Sequence, residues 1–229
     1  MRSNFTKPVI VTLQLQQLDI PLGQRLLLRD INWHEFEAIL TELGEHRATR
    51  IAYYQGILEI RMPTPEHEVD QELISDLIKI LLEELEIDCE CFGSTTFKQK
   101  TMGSGIEPDQ CFYIQNHLQM RGKRRVDLTI DPPPDLALEI DVTSKTQLDA
   151  YVALGVRELW IDDGGELKLY VLQSDQYQPV STSPTFSQLP LPNLVKELLE
   201  KSRKLGRSPA LKALRKKIQQ RNDSADLNL

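Results

Sequence analysis

Two acidic residues of this chain, Asp109 and Glu139, lie beside apolar runs that are typical of buried β-strands. Asp109 precedes the run 111–114, and Glu139 interrupts a second run, 136–142, thirty positions after Asp109. A buried carboxylate is costly unless its charge is compensated, and a divalent cation is a usual compensator. Two such carboxylates from separate parts of the chain therefore predict one shared metal site. The alternatives are a strand-entry turn residue for Asp109 and a buried salt bridge for Glu139.

The pattern around these acids is Pro108-Asp109 followed by Glu139-x-Asp141, and it resembles the active-site signature of the PD-(D/E)XK nuclease superfamily. Over about residues 25–185 the order and spacing of further stretches resemble a bacterial restriction-endonuclease family of that superfamily. Those stretches are Thr64-Pro65-Glu66-His67-Glu68, Asp131-Pro132-Pro133-Pro134-Asp135, Glu139-Ile140-Asp141-Val142-Thr143-Ser144 and Ala153-Leu154-Gly155-Val156. The resemblance implies a restriction-endonuclease-like α/β fold with a mixed central sheet flanked by helices. It also implies a Mg²⁺-dependent (or Mn²⁺-dependent) endonuclease that hydrolyses DNA phosphodiester bonds.

The resemblance assigns the metal to the carboxylates of Asp109 and Glu139, with the carbonyl oxygen of Ile140 as a third ligand. A bound Mg²⁺ polarises the scissile phosphate and lowers the pKa of an attacking water. Without metal, two clustered carboxylates repel each other. We therefore expect that replacing either acid by its amide leaves the metal-free chain equally or more stable.

Asp141 departs from the superfamily pattern, which has a lysine at this position. Alternation along a strand would put Asp141 on the same face as Glu139, where it could bind a second cation. An aspartate cannot orient the water and stabilise transition-state charge as a lysine does. Lys145, four residues later, is the candidate for that role, and an exposed lysine before a helix is the alternative.

The start of one predicted helix supplies two more candidates. Thr64 is suited to the N-cap and Pro65 to the first helical position, and apolar residues recur at helical spacing to about Leu85. His67, in the first turn, could move a proton or hold a water, or it could be a structural group. Glu68 is the alternative, as a further metal ligand.

Basic residues are concentrated in two segments of an acidic chain, whose net charge is −7. One is a loop, and the other is the segment 192–229, with ten Lys/Arg and four Asp/Glu. Since an acidic protein needs local cations to approach a phosphate backbone, we expect the loop to bind DNA. The alternative for both segments is a solvated surface. The loop cations are Arg121, Lys123, Arg124 and Arg125.

The patterning predicts one domain over residues 25–185, an N-terminal extension at 1–24, and a linker with a basic C-terminal helix or tail at 186–229. Residues 103–105 predict a turn. The apolar hairpin over 51–58 could present a sheet edge, and cleavage of a duplex needs two sites, so we expect a homodimer.

No apolar run approaches the roughly 18 residues of a membrane span, and no secretory signal is evident. Three cysteines without metal-site or disulfide spacing also favour a cytoplasmic protein.

Two functions stay open beside the nuclease. The first is a non-catalytic DNA- or protein-binding module that keeps the fold, which Asp141 and the acidic body favour. The second is a metal-dependent hydrolase of a smaller phosphorylated substrate.

Overall fold

The computed structural model describes residues 14–44, 47–141 and 144–226, so more than half of the expected N-terminal extension lies outside the described residues. The described chain forms two β-sheets flanked by helices, which confirms the predicted α/β class. None of its helices is long and apolar enough to cross a lipid bilayer.

The strands form a five-stranded sheet in the order β1-β3-β2-β6-β5 and a six-stranded sheet in the order β11-β10-β9-β8-β7-β4. The first sheet is antiparallel throughout. The second is mixed, because β8 and β9 run parallel while its other neighbours are antiparallel. The strands are β1 (Arg25–Leu28), β2 (Arg50–Tyr54), β3 (Ile57–Arg61), β4 (Glu90–Cys91), β5 (Phe97–Gln99), β6 (Ser104–Ile106), β7 (Gln110–Tyr113), β8 (Leu136–Ile140), β9 (Glu158–Asp163), β10 (Glu166–Gln173) and β11 (Gln176–Val180).

Helices cover both sheets. The described helices are α1 (Trp33–Leu43), α2 (Pro65–Glu84), α3 (His117–Met120), α4 (Lys145–Leu154), α5 (Leu191–Leu205) and α6 (Arg207–Asp226), with short 3-10 turns at Leu15–Gln17 and Lys100–Met102. Helices α2 and α5 pack on one face of the six-stranded sheet, and α6 packs on these two helices; all three contribute to a continuous apolar core. Helix α4 lies between the two sheets, where Ala150, Tyr151 and Leu154 share a core with residues of both.

Helix α2 begins as the sequence predicts. The side chain of Thr64 accepts a hydrogen bond from the backbone N–H of His67, and Pro65 occupies the first helical position. Leu73, Leu77 and Leu81 lie on the buried face of the helix. This packing fixes the first turn of α2, including His67, against the carboxyl end of β8 and the start of β7.

The expected turn at 103–105 is correct only at Gly103, which has a left-handed backbone (φ 56°) and precedes β6. Ser104–Ile106 is not a turn but strand β6, which pairs with both β2 and β5. Gly105 is needed for the packing of α1 on this strand. A Cβ added at Gly105 would lie 2.8 Å from Cζ of Phe36, so the ring of α1 packs directly on the strand backbone. The second glycine of the pattern therefore reflects a close approach between a helix and a sheet rather than a turn.

The expectation that the apolar hairpin presents an edge is also wrong. Strand β3 pairs with β1, and β2 pairs with β6, so the hairpin is interior to its sheet. Ile51, Tyr53 and Leu58 are buried against α1. The hairpin thus gives no support to a dimer, which stays a prediction.

The basic C-terminal segment is packed against the acidic face of α2. Arg203 pairs with Asp70 at 2.9 Å, Arg207 pairs with Asp76, and Arg215 pairs with Glu84 at 2.6 Å. Within the expected linker and tail, Phe186, Leu189, Leu194 and Leu198 are buried in the core, and α5 and α6 meet at Gly206. These helices therefore help to cover α2, and several of their cations already have carboxylate partners.

Candidate active site

Asp109 and Glu139 come together because β7 and β8 are neighbouring antiparallel strands. The register pairs Gln110 with Leu138, so the residue that precedes β7 lies opposite Glu139. Both acids have 0% exposure. The register therefore places two fully buried carboxylates at the same end of the six-stranded sheet.

Arg61, on β3 of the other sheet, reaches between the two carboxylates. Its Nη2 donates to Asp109 Oδ1 at 3.1 Å and to Glu139 Oε2 at 2.5 Å. Its Nη1 lies 3.4 Å from the carbonyl oxygen of Ile140. The buried pair is thus compensated by a side chain, as in the salt-bridge alternative for Glu139, and the arginine contacts all three groups expected to hold the metal.

Asp109 has further donors on its other oxygen. The backbone N–H of Ile140 donates to Oδ2 at 2.9 Å, and His67 Nε2 lies 3.0 Å from the same atom. Gln71 Nε2 donates to the backbone carbonyl of Asp109 at 2.8 Å. Burial alone would raise the pKa of this carboxyl, but the charge of Arg61 and the hydrogen bond from His67 outweigh it and hold the pKa below its usual value. Asp109 is therefore ionised.

Glu139 lies in a different electrostatic environment. The phenol of Tyr151, a fully buried residue of α4, donates to Oε1. Burial raises the pKa of Glu139 above its usual value, and the charge of Asp109 raises it further, while Arg61 and Tyr151 act in the opposite direction. The pKa values of the two carboxyl groups are therefore shifted in opposite directions. Asp109 accepts from several donors, whereas Glu139 accepts from Tyr151 and shares the guanidinium of Arg61 with Asp109.

A cavity of about 480 Å³ adjoins this cluster. Arg61 and His67 lie in its wall, together with Glu59, Asp141 and Gln147. This volume is within the range of small-molecule sites and leaves room for a phosphate group and water beside the buried acids.

The donor set fits a hard divalent cation. The guanidinium of Arg61 is a stand-in cation, and its contacts show that oxygens of Asp109, Glu139 and Ile140 face one positive centre. Mg²⁺ keeps several waters and needs few protein ligands. Within the described residues no group of three or more His, Cys, Asp or Glu side chains is placed to hold a metal. A metal bound here would therefore have two carboxylates and one carbonyl oxygen as its protein ligands.

Three other predicted site residues lie outside this cluster. Strand β8 ends at Ile140, and Asp141 is exposed and has a left-handed backbone (φ 55°). Strand alternation therefore does not place Asp141 on the face of Glu139, as was expected, although Asp141 lines the cavity. Glu68 is 45% exposed and lies 3.6 Å from Arg50 Nη2. Lys145 is 86% exposed and pairs with Asp149 at 2.6 Å, away from the two acids. Their expected roles stay predictions.

The basic loop has a mixed environment. Lys123 pairs with buried Asp131, and Arg121 is mostly exposed. Arg124 and Arg125 line a groove of about 1000 Å³ whose other lining side chains include those of α1 and of residues 94–98. Glu107, two residues before Asp109, lies in the same groove wall and pairs with Arg47. The groove therefore extends from the basic loop towards the segment that carries Asp109.

Arg61 was not among the residues that the sequence singles out. It is one charged residue at the end of an amphipathic strand, and the chain distance from Glu139 is large. The only local signal is that Glu59 and Arg61, two positions apart, interrupt an otherwise apolar strand on one face. Tyr151 and Gln71 likewise have ordinary helical positions in the sequence.

Comparison with known proteins gives a family for the chain. The model of the family described as "Uma2: Putative restriction endonuclease" matches residues 33–202. A solved structure from Anabaena variabilis ATCC 29413, described as a "putative nuclease belonging to DUF820", is similar at 18% sequence identity and a TM-score of 0.44, covering 60% of this chain and 83% of that one. No curated protein matches the chain.

Proposed function

The chain belongs to the Uma2 family, described as "Putative restriction endonuclease", and we propose that it is a Mg²⁺- or Mn²⁺-dependent endonuclease that hydrolyses DNA phosphodiester bonds. The observation that carries the proposal is the convergence of two fully buried carboxylates, Asp109 and Glu139, on one cation beside a cavity. A protein retains such a cluster at a cost in stability, and functional sites are where that cost is common.

The residues of the cluster have distinct parts in this chemistry. Asp109, Glu139 and the Ile140 carbonyl would hold the metal, which when bound activates water and stabilises charge on the phosphate. His67 orients Asp109 through Nε2, which fixes the proton on that nitrogen, and also lies in the cavity wall. Tyr151 orients Glu139 from the α4 side. The two acids are thereby held by donors from two helices.

DNA is the proposed substrate because a cationic groove adjoins the segment of Asp109. Arg124 and Arg125 lie in the groove wall, where Lys98 and Arg47 pair with Glu37 and Glu107. The four cations outnumber the two acids, and a groove of about 1000 Å³ can accept part of a phosphate backbone. The acidic chain as a whole would repel DNA, so binding depends on these local cations.

Cleavage of both strands of a duplex requires two active sites, and a two-fold homodimer is the simplest arrangement that provides them. This part of the proposal rests on the reaction alone, since the apolar hairpin is buried within its own sheet. Light scattering at micromolar concentration, with and without duplex DNA, measures the molecular mass, and a monomeric mass in both conditions would count against the homodimer.

A non-catalytic binding module is the second candidate, and a specific observation favours it. Arg61 already pairs with both acids without metal, and Asp141 replaces the lysine of the superfamily pattern. Such a module would bind DNA with an affinity that is independent of Mg²⁺ and unaffected by replacing Glu139.

A plasmid-nicking assay separates the two functions. Wild-type protein with Mg²⁺ or Mn²⁺ should convert supercoiled DNA to nicked or linear forms, whereas Asp109→Asn and Glu139→Gln should not. Asp163→Asn, purified identically, is the matched control, because Asp163 is an exposed carboxylate paired with Lys168. Cleavage that survives in both site variants would come from a contaminant or another site and would reject the proposal.

A further inference from the structure

We propose that Arg61 and a divalent cation are alternative occupants of the same oxygen cluster, so that metal binding displaces Arg61 into the adjoining cavity. This inference deepens the proposed function and rests on it for the metal. It assigns Arg61 as the residue that sets metal affinity and exchanges position when the site is loaded.

The contacts of Arg61 leave no room for both cations. Its Nη2 lies 2.5 Å from Glu139 Oε2 and 3.1 Å from Asp109 Oδ1, and its Nη1 lies 3.4 Å from the Ile140 carbonyl. A Mg²⁺ ion needs these oxygens at about 2.1 Å. A guanidinium at its present distances would lie against the ion, with like charges in a buried site, so one must leave before the other binds.

The backbone of Arg61 has little freedom to move, so the exchange is a side-chain motion. Strand β3 is paired on both sides, and Arg61 is opposite Arg25 on β1 and Arg50 on β2. Its side chain already lies in the wall of the 480 Å³ cavity. Rotation about the side-chain bonds can therefore move the guanidinium from the two acids into open space.

A partner for the displaced guanidinium is present in the cavity wall. Glu59 is two residues before Arg61 on the same face of β3, is 2% exposed, and lines the same cavity. Its Oε2 is buried and has no hydrogen-bond partner among the described residues. A buried, unpartnered carboxylate oxygen is costly, and a guanidinium that turns towards it would offset that cost.

In its displaced position Arg61 would also supply a cation where the chain lacks the motif lysine. Asp141, at the lysine position, lines the same cavity with Glu59, and the displaced guanidinium would add to the positive charge of Arg25 in that wall. Arginine is suited to this role because its planar guanidinium binds phosphate oxygens in pairs. The exchange would thus couple metal loading to formation of an anion-binding wall.

Direct metal binding tests the exchange without reference to cleavage. Mn²⁺ binding to the full chain is measured by calorimetry and by the loss of the free Mn²⁺ electron-paramagnetic-resonance signal. Arg61→Gln should bind Mn²⁺ at least tenfold more tightly than wild type, and Glu59→Gln should bind it more weakly. Arg215→Gln is the matched control, because Arg215 pairs with Glu83 and Glu84 on α2 and with neither acid of the site; it should differ from wild type by less than threefold.

Equal or weaker binding by Arg61→Gln, with measurable wild-type binding, would overturn the exchange and leave the proposed nuclease intact. Absence of Mn²⁺ binding in both proteins would overturn the exchange and the metal-dependent function together. Loss of Mn²⁺ binding in Asp109→Asn confirms that the measured ion binds at the Asp109 and Glu139 carboxylates.

A second measurement covers the case in which Arg61→Gln does not fold. Wild-type protein labelled with ¹⁵N at arginine is titrated with Mg²⁺, and the Arg61 side-chain signal is assigned through its loss in Arg61→Lys. The signal should shift at saturating Mg²⁺ while that of Arg215, paired on the distant face of α2, stays fixed. An unshifted Arg61 signal at saturation would overturn the proposal.

Discussion

Replacement of Asp109 by asparagine should destabilise the metal-free protein, although two facing carboxylates considered alone predict the opposite. The carboxylate accepts from Arg61 at 3.1 Å, from His67 at 3.0 Å and from the backbone N–H of Ile140 at 2.9 Å. All three groups donate. An asparagine offers one oxygen and one NH₂ group, so at least one buried donor would face another donor.

The expected cost follows from this geometry. Removal of one partner from a buried ion pair costs about 3–5 kcal/mol. Arg61 retains Glu139 as a partner in the variant, so we expect the lower end of that range, about 3 kcal/mol. For domains of this size that change lowers the Tm by about 6–12 °C. The measurement is thermal and urea denaturation in EDTA, with Asp163→Asn as the control.

The pH dependence has a defined sign. The pKa of Asp109 is lower in the folded protein than its usual value, so its contribution is present above that usual value and is lost as the pH falls through the folded pKa. The contribution of Asp109 to the difference between wild type and Asp109→Asn should therefore be complete at about pH 5 and should narrow below about pH 4. If Asp109→Asn melts at the same temperature as the Asp163→Asn control at neutral pH, the three donors around Asp109 do not depend on its carboxylate.

Three further predictions concern other parts of the molecule. Arg124→Ala with Arg125→Ala should weaken DNA binding uniformly across sequences and reduce the log–log salt slope by up to about 0.9 per lost contact, measured by fluorescence anisotropy; an unchanged slope would assign the loop to solvent. Gly105→Ala should cost about 1–3 kcal/mol in urea denaturation, because its Cβ would lie 2.8 Å from the Phe36 ring; a neutral effect would mean that α1 moves freely. Leu198→Ala, which removes a buried side chain of α5, should cost about 2–5 kcal/mol, and an effect under about 1 kcal/mol would show that the C-terminal helices are dispensable to the core.

Local sequence was sufficient to predict the elements that carry the two acids. Apolar runs beside Asp109 and Glu139 indicate buried strands, and Thr64 with Pro65 indicates the start of α2; all three are observed. These features depend on residues that are close in sequence, where strand and helix periodicities are reliable guides.

The parts that could not be predicted depend on contacts between distant segments. Arg61 reaches the acids because β3 of one sheet faces the end of β7 and β8 in the other, which no local pattern encodes. Asp141 was expected in the strand because Val142 continues the apolar alternation, but the left-handed backbone at Asp141 ends the strand one residue earlier. The direction of its carboxylate therefore follows from a left-handed backbone, which strand alternation cannot describe.

Charge patterns were misleading for a related reason. The basic C-terminal segment has the composition of a nucleic-acid-binding tail, yet Arg203, Arg207 and Arg215 pair with acids of α2, more than 100 residues earlier in the chain. Sequence shows that both segments are charged, but only the packing of α5 and α6 on α2 shows that these charges compensate each other.

Anomalous diffraction from crystals soaked in Mn²⁺ locates the ion and the Arg61 side chain in one experiment, and so tests whether the two exchange. We expect one anomalous peak at about 2.1–2.2 Å from oxygens of Asp109 and Glu139, with the Arg61 guanidinium turned into the cavity towards Glu59. A saturating soak that leaves Arg61 between the two acids, with no peak at their oxygens, would contradict the exchange.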